Sequence, residues 1–206
     1  MRYWSHFQPN SIIKTMKKII IIAILLSSVY TMNAQTKKQQ EVIAERIVSI
    51  PSAKVWNVLA EDYGAIAKSH PAIVSSEYTA GTLEGREGAE RKCFFNEKGT
   101  QMFHEKIVKW EPQKMSFTQI IVDFKKFPID KENTEVVYSV EQVNANTSKI
   151  RAHLKYRTKP AFMGGMAKGK FKGMLEDYFL AIEHHIKTGE SVTIDNFKSI
   201  KKQYKS

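Results

Sequence analysis

The alternation of apolar and polar residues predicts that a β-strand opens the folded part of the chain. From Glu41 to Ile50 every second residue is apolar apart from Arg46, which is the period of a half-buried strand. From Ser52 the apolar spacing changes to three and four residues and continues until Pro71. This spacing predicts a helical segment, and we expect Gly64 to divide it into two short helices.

A period of two returns after residue 71 and continues to residue 158. Glycine, proline and asparagine interrupt it at short intervals, and such short connections predict an antiparallel meander. The six predicted strands are Ile73–Thr79, Ala89–Phe95, Gln101–Trp110, Met115–Asp123, Thr134–Val143 and Lys149–Thr158.

A long amphipathic helix is predicted after the last strand, from about Ala167 to Lys187, with Gly189 as its C-terminal cap. The apolar stripe of this helix comprises Phe171, Met174, Leu175, Tyr178, Ile182 and Ile186. The predicted fold class is therefore α+β, with one antiparallel sheet, two short helices after the first strand and one long C-terminal helix.

The first 34 residues have the pattern of a secretory signal. Lys17 and Lys18 precede an apolar run from Ile19 to Leu26, and small and polar residues follow up to Ala34. The run is shorter than the roughly 20 residues that a membrane-spanning helix needs. We therefore expect Met16 to be the true initiator, cleavage to follow Ala34, and the protein to be periplasmic or secreted.

The composition excludes several classes of protein. The 206 residues include 32 Lys+Arg and 21 Asp+Glu, and 42% are hydrophobic, which is ordinary for a globular protein. The single cysteine, Cys93, excludes an intrachain disulfide, a CxxC redox pair and a cysteine-rich zinc site. No histidine spacing typical of a metal site occurs, so we expect neither a metal nor another cofactor.

The basic residues are dispersed, and no run of five or more occurs, so the sequence does not predict nucleic-acid binding. They are frequent after residue 190, where Lys198, Lys201, Lys202 and Lys205 lie in a segment that we call the basic tail (residues 191–206). We expect this tail to make at most a weak contact with an anionic membrane surface.

Several segments together resemble a known family. They are VWNVLAEDYGAIAKSHPAI, GREGAERKCFF, QMFHEKIVKWE, the PID that precedes Tyr138, and a glycine-rich helix ending in HHIKTGE. This succession resembles the START-like (SRPBCC) superfamily in its polyketide cyclase/dehydrase and lipid-transport branch. The resemblance extends over about residues 41–189, and we expect the domain to comprise residues 35–190. The resemblance implies a helix-grip fold, in which a curved antiparallel sheet wraps around the C-terminal helix and an elongated cavity between them holds a hydrophobic or amphipathic small molecule.

Side-chain parity selects the residues that face the inside of this sheet. Arg91 and Glu105 share the parity of their apolar neighbours, so they can meet on adjacent strands as a buried pair. Such a pair either fixes the polar group of a ligand or is structural. The same argument selects Cys93, Phe95, Phe103, Ile107, Val136, Tyr138 and Tyr156, and the long helix and its entry add Met163, Met166 and Met174.

Three functions fit the sequence, and the third of them is a carrier that docks on a membrane through its basic tail to collect or deliver lipid. The first is an exported binding protein that holds a lipid or polyketide-like molecule without catalysis, with Met163 and Met166 as a soft cavity gate. The second is a cyclase or dehydratase, with His70 or Glu105 as acid or base and Arg91 polarising a carbonyl. The resemblance implies that His70 lies near the cavity mouth. No pair of a nucleophile and a base can be identified from the spacing of residues along the chain, so the sequence favours binding over catalysis.

Overall fold

A seven-stranded antiparallel sheet forms the body of the computed structural model, which describes residues 39–79 and 84–204. The predicted signal segment and its cleavage site lie outside these residues. The strands are β1 Gln40–Val48, β2 Ser75–Thr79, β3 Glu90–Phe94, β4 Met102–Glu111, β5 Ser116–Lys125, β6 Glu135–Asn144 and β7 Thr147–Tyr156.

The sheet has the order β1-β7-β6-β5-β4-β3-β2. Strands β2 to β6 each pair with the next strand along the chain, because short turns allow only antiparallel neighbours. The first strand pairs instead with the last, and Val42 lies opposite Leu154. The predicted meander and its α+β fold class are confirmed. The register of β4 with β5 shifts twice, and these irregularities bend the sheet at this pair.

Three α-helices accompany the sheet within the described residues: α1 Ser52–Trp56, α2 Met163–Thr188 and α3 Phe197–Gln203. The chain continues from α1 as a π-helical turn over Asn57–Glu61 and a 3-10 helix over Tyr63–Lys68. The predicted helix pair is thus present, although the division falls before Gly64. Gly189 has a φ of 75° and caps α2 as predicted, because only glycine adopts this conformation without strain.

The two halves of α2 differ in burial. The C-terminal half places Leu175, Tyr178, Phe179 and Ile182 in the main core. From residue 165 to residue 174, by contrast, no side chain is fully buried, and three of these ten residues are glycine. Helix α2 is therefore held to the sheet mainly by its second half, because buried apolar area is what fixes a helix in place.

The basic tail is folded over much of its length. Val192 and Ile200 are fully buried against Leu180 and Ala181 of α2, and they form a second, smaller core with helix α3. Lys201 pairs with Asp177, whereas Lys198 and Lys202 remain exposed. A contact of these lysines with a membrane surface stays a prediction. Within the described residues, no helix has both the length and the apolar character required to cross a bilayer.

Candidate ligand cavity

A cavity of about 70 Å³ lies between the sheet and α2. Its wall is mostly apolar, and its main polar side chains come from neighbouring strands β4 and β5. The lining residues are Phe103, Glu105, Gln119, Ile120, Ile121, Ile129, Thr134, Glu135, Val136, Tyr138, Leu154, Tyr156, Phe171, Met174 and Leu175. The strands contribute the floor, and the predicted apolar stripe of α2 contributes the roof.

A charged pair stands at this cavity. Arg91 of β3 lies directly opposite Glu105 of β4, and its Nε donates to Glu105 Oε2 at 2.8 Å. The predicted pairing is therefore confirmed. Arg91 is only 2% exposed, and its Nη1 donates to the backbone carbonyl of Tyr63 at 2.7 Å, while the guanidinium carbon lies 3.8 Å from the centre of the Tyr63 ring. A guanidinium survives this burial because its charge is paired and its donors are engaged.

A third side chain, Gln119, bonds both members of the Arg91–Glu105 pair and was not predicted from the sequence. Its Nε2 donates to Glu105 Oε1 at 3.0 Å, and its Oε1 accepts from the Tyr63 hydroxyl at 3.3 Å and from Arg91 Nη2 at 3.4 Å. The available signal was parity, because Gln119 lies between Phe117 and Ile121 on one face of β5. An amide is well suited to this position, since it donates to the carboxylate and accepts from the guanidinium.

Six residues that the sequence predicted to face inward line the cavity, namely Phe103, Glu105, Val136, Tyr138, Tyr156 and Met174. Burial, followed by the influence of Tyr178, raises the pKa of Tyr138 well above its ordinary value, so its hydroxyl keeps its proton at physiological pH. The Tyr156 hydroxyl donates to the carbonyl of Gly164 at 2.6 Å and ties β7 to the start of α2.

Arg91 and Cys93 do not line the cavity, and both contact Glu105, which does. The Cys93 Sγ is 3.6 Å from Glu105 Oε2. Burial, aided by the negative charge of Glu105, raises the pKa of the Cys93 thiol far above its usual range. Cys93 is therefore a small neutral core residue and not a nucleophile.

Four further apolar candidates lie elsewhere. Phe95 packs in an aromatic cluster with Phe103 and Phe127, and Ile107 is fully buried in the core. Met163 is half-buried at the first turn of α2, and Met166 is 82% exposed. The prediction that Met166 faces inward is corrected, because α2 begins before residue 167 and its rotation turns this side chain to the solvent.

His70 also lies outside the cavity wall, where the family resemblance had suggested the mouth. Its ring packs on Tyr178 at a centroid distance of 4.7 Å, and its Nδ1 accepts from the backbone N–H of Ala72 at 3.1 Å. Burial, together with the positive charge of Arg91, lowers the pKa of His70 to about 3. The imidazole is therefore neutral near pH 7 and is too weak a base for proton abstraction.

The geometry favours binding over acid–base chemistry at Glu105 as well. Both of its oxygens already accept hydrogen bonds, from Arg91 and from Gln119. Within the described residues, no group of three His, Cys, Asp or Glu side chains is placed to hold a metal ion. What the site offers is an apolar enclosure with an ordered polar cluster at one part of its wall.

Residues 39–183 match the family described as polyketide cyclase / dehydrase and lipid transport. The chain belongs to this family. The match covers β1 to β7 and most of α2, so it includes every side chain of the cavity. A comparison with curated proteins gives no match.

Solved structures agree with this assignment. The crystal structure of Ara h 8.0201 has a TM-score of 0.61 and 22% identity, over 73% of this chain and 99% of that one. A START superfamily protein from Mycobacterium smegmatis has a TM-score of 0.59 and 16% identity, over 71% and 97%. Norcoclaurine synthase from Thalictrum flavum, in complex with dopamine and hydroxybenzaldehyde, has a TM-score of 0.54 and 14% identity, over 74% and 89%. The predicted START-like, helix-grip fold is confirmed.

Proposed function

We propose that this protein is an exported carrier that holds a hydrophobic or amphipathic small molecule, such as a lipid or a polyketide-like compound, between the sheet and α2. The observation that carries the proposal is the wall of the cavity. Apolar side chains from four strands and from α2 surround it, and Glu105 and Gln119 supply an ordered polar cluster. This combination of apolar surface with a few placed polar groups is typical of sites for small molecules.

The cavity must enlarge to hold such a ligand. Its volume of about 70 Å³ is below the roughly 300 Å³ at which ligand pockets begin. The roof can supply this room, because Phe171 and Met174 belong to the half of α2 that has no fully buried side chain after residue 164. Gly165, Gly169 and Gly173 occur in the same segment, and each glycine lowers helix stability by about 1 kcal/mol relative to alanine.

Export is supported by the signal-like pattern of residues 16–34. The test is to express the full chain in its own host and to determine the N-terminal residue and the mass of the protein in the extracytoplasmic fraction. We expect a chain that begins at Gln35. An uncleaved chain that remains in the cytoplasm contradicts this part of the proposal.

The binding proposal is tested by native mass spectrometry and organic extraction of the same purified protein. We expect one molecule of a hydrophobic compound per chain. Val136→Phe is expected to abolish its retention, because Val136 lines the cavity and a larger side chain fills it.

The matched control is Val143→Phe, which makes the same exchange on the same strand at a position that is 51% exposed. This control should retain the ligand. Equal retention by both variants would show that the compound is bound elsewhere. If the extracted compound is added back to the purified protein and a converted product is recovered in its place, the cyclase or dehydratase alternative is favoured.

A further inference from the structure

The charges in the cavity wall are all of one sign. Within the described part of the chain, the wall includes two carboxylates, Glu105 and Glu135, and no lysine, arginine or histidine side chain. Glu135 is at the rim, where Lys155 Nζ lies 3.4 Å away and both side chains are well exposed to solvent. Glu105 lies deeper, with a side chain that is only 12% exposed. Inside the cavity, the polar group of a ligand would therefore lie near Glu105 and its partners, and Glu135 would remain at the rim.

The guanidinium of Arg91, which is hydrogen-bonded to Glu105, has little freedom to turn toward a ligand. Arg91 uses Nε for Glu105, Nη1 for the carbonyl of Tyr63 and Nη2 for the amide oxygen of Gln119. Rotation toward a ligand would break these bonds and leave Glu105 without its charged partner. A free carboxylate in the cavity would consequently lose its hydration with no cation of the described wall free to pair with it, and burial of an unpaired charge is costly.

A cation gains little from the same site, because the charge of Glu105 is already neutralised by Arg91 at 2.8 Å. A neutral hydroxyl fits better. Glu105 Oε1 accepts one hydrogen bond, from Gln119, and a carboxylate oxygen can accept two. The Gln119 amide has two N–H groups and uses one of them for Glu105. An acceptor and a donor thus stand about 3 Å apart at the wall, and a hydroxyl can use both.

We infer that the cavity selects neutral molecules that carry a hydroxyl group, which binds between Glu105 and Gln119, and that it discriminates against carboxylic acids of the same shape. This inference rests on the proposed binding function and specifies its ligand class. It assigns Glu105 and Gln119 as the residues that determine specificity, with Arg91 holding Glu105 in place.

The test compares three ligands with one scaffold, 4-pentylphenol, 4-pentylbenzoate and pentylbenzene, by isothermal titration calorimetry at pH 7.5 with the purified protein. We expect the phenol to bind at least about tenfold more tightly than either of the others, which is about 1.4 kcal/mol. The benzoate loses affinity because its charge is desolvated with no cation to pair with it, and the hydrocarbon loses affinity because it leaves the second N–H of Gln119 and the second acceptor site of Glu105 Oε1 without a ligand partner.

Two variants assign the effect to residues. Gln119→Met keeps the Arg91–Glu105 pair and removes the amide donor. We therefore expect this variant to bind the phenol more weakly and to bind pentylbenzene with nearly unchanged affinity. Glu105→Gln leaves the positive charge of Arg91 without a carboxylate partner inside the protein, so we expect benzoate affinity to rise relative to phenol affinity. Because Glu105→Gln leaves Arg91 without its charged partner, circular dichroism must first show that this variant is folded. If it is not folded, the inference is tested with Gln119→Met alone.

The outcomes separate the inference from the function on which it rests. Preference for the phenol that Gln119→Met reduces supports the inference. Benzoate binding that equals or exceeds phenol binding overturns the inference and leaves the binding function standing. If none of the three compounds binds and the protein also carries no extracted molecule, the proposed function itself fails.

Discussion

His70 allows a quantitative prediction about stability and pH. Its imidazole is buried, and its pKa in the folded protein is lowered to about 3 by burial and by the charge of Arg91. In the unfolded chain the same group has its ordinary pKa of about 6.5. Between these two values the unfolded state binds a proton that the folded state excludes. The free energy of unfolding therefore falls as the pH falls below about 6.5, and this contribution is fully present only above that value.

The size of the effect at pH 5 follows from linkage. A group with a pKa of about 6.5 unfolded and about 3 folded lowers the free energy of unfolding by about 2 kcal/mol between pH 7.5 and pH 5.0. Because pH 5 lies well above the folded value, this figure depends almost wholly on the unfolded pKa. Most carboxylates titrate below pH 5, so the interval isolates the histidines.

The assay is urea denaturation of the purified protein at pH 7.5 and pH 5.0, followed by far-UV circular dichroism. In His70→Asn the amide oxygen can still accept from the Ala72 N–H, and we expect this variant to lose about 2 kcal/mol less than the wild type over the interval. The control is Lys92→Leu, in a loose exposed pair with Glu77, which removes no histidine and should show the pH dependence of the wild type. Equal pH dependence in the wild type and His70→Asn would refute the reasoning.

Three further outcomes are expected. Arg91→Leu should lower the free energy of unfolding by about 3–5 kcal/mol, because it leaves Glu105 unpaired at the cavity, whereas Lys92→Leu, in a loose exposed pair, should change it by less than about 1 kcal/mol; similar losses in urea titrations would contradict this. Gly169→Ala should raise the stability by about 1 kcal/mol, since nothing lies within 4 Å of the added Cβ, and should slow ligand entry in stopped-flow measurements; faster entry would argue against an opening at α2. Replacing Lys198 and Lys202 by Gln should reduce sedimentation with vesicles that contain anionic lipid, and unchanged sedimentation would disprove the predicted contact of the basic tail.

The strands and the long helix were predictable from the sequence because their signals are local. A period of two in burial is present in β3, in β7 and in the first six residues of β6, and turn residues mark the ends of these strands. The Arg91–Glu105 pair was predictable for the same reason, since parity fixes the face of a strand and a short turn fixes its neighbour. Two opposite charges on an apolar face are stable mainly when they pair with each other.

Residues that depend on the second layer of the fold were not predictable in this way. Parity placed Ile107 and Val136 on the same inner face, yet only Val136 lines the cavity, whereas Ile107 is fully buried in the core. Gln119 acquires its role from three partners on different elements, Tyr63, Arg91 and Glu105. None of these contacts has a signature in the neighbouring sequence.

The sequence by itself thus determined the elements, their order and the face of each strand, because these follow from backbone hydrogen bonding and from the partition of apolar side chains between core and solvent. The tertiary structure alone decided that His70 is buried on Tyr178, that Met166 faces solvent and that Ile200 anchors the basic tail to α2. The physical reason is that these environments arise where two distant segments meet, and the position of that meeting depends on the curvature of the sheet and the rotation of α2.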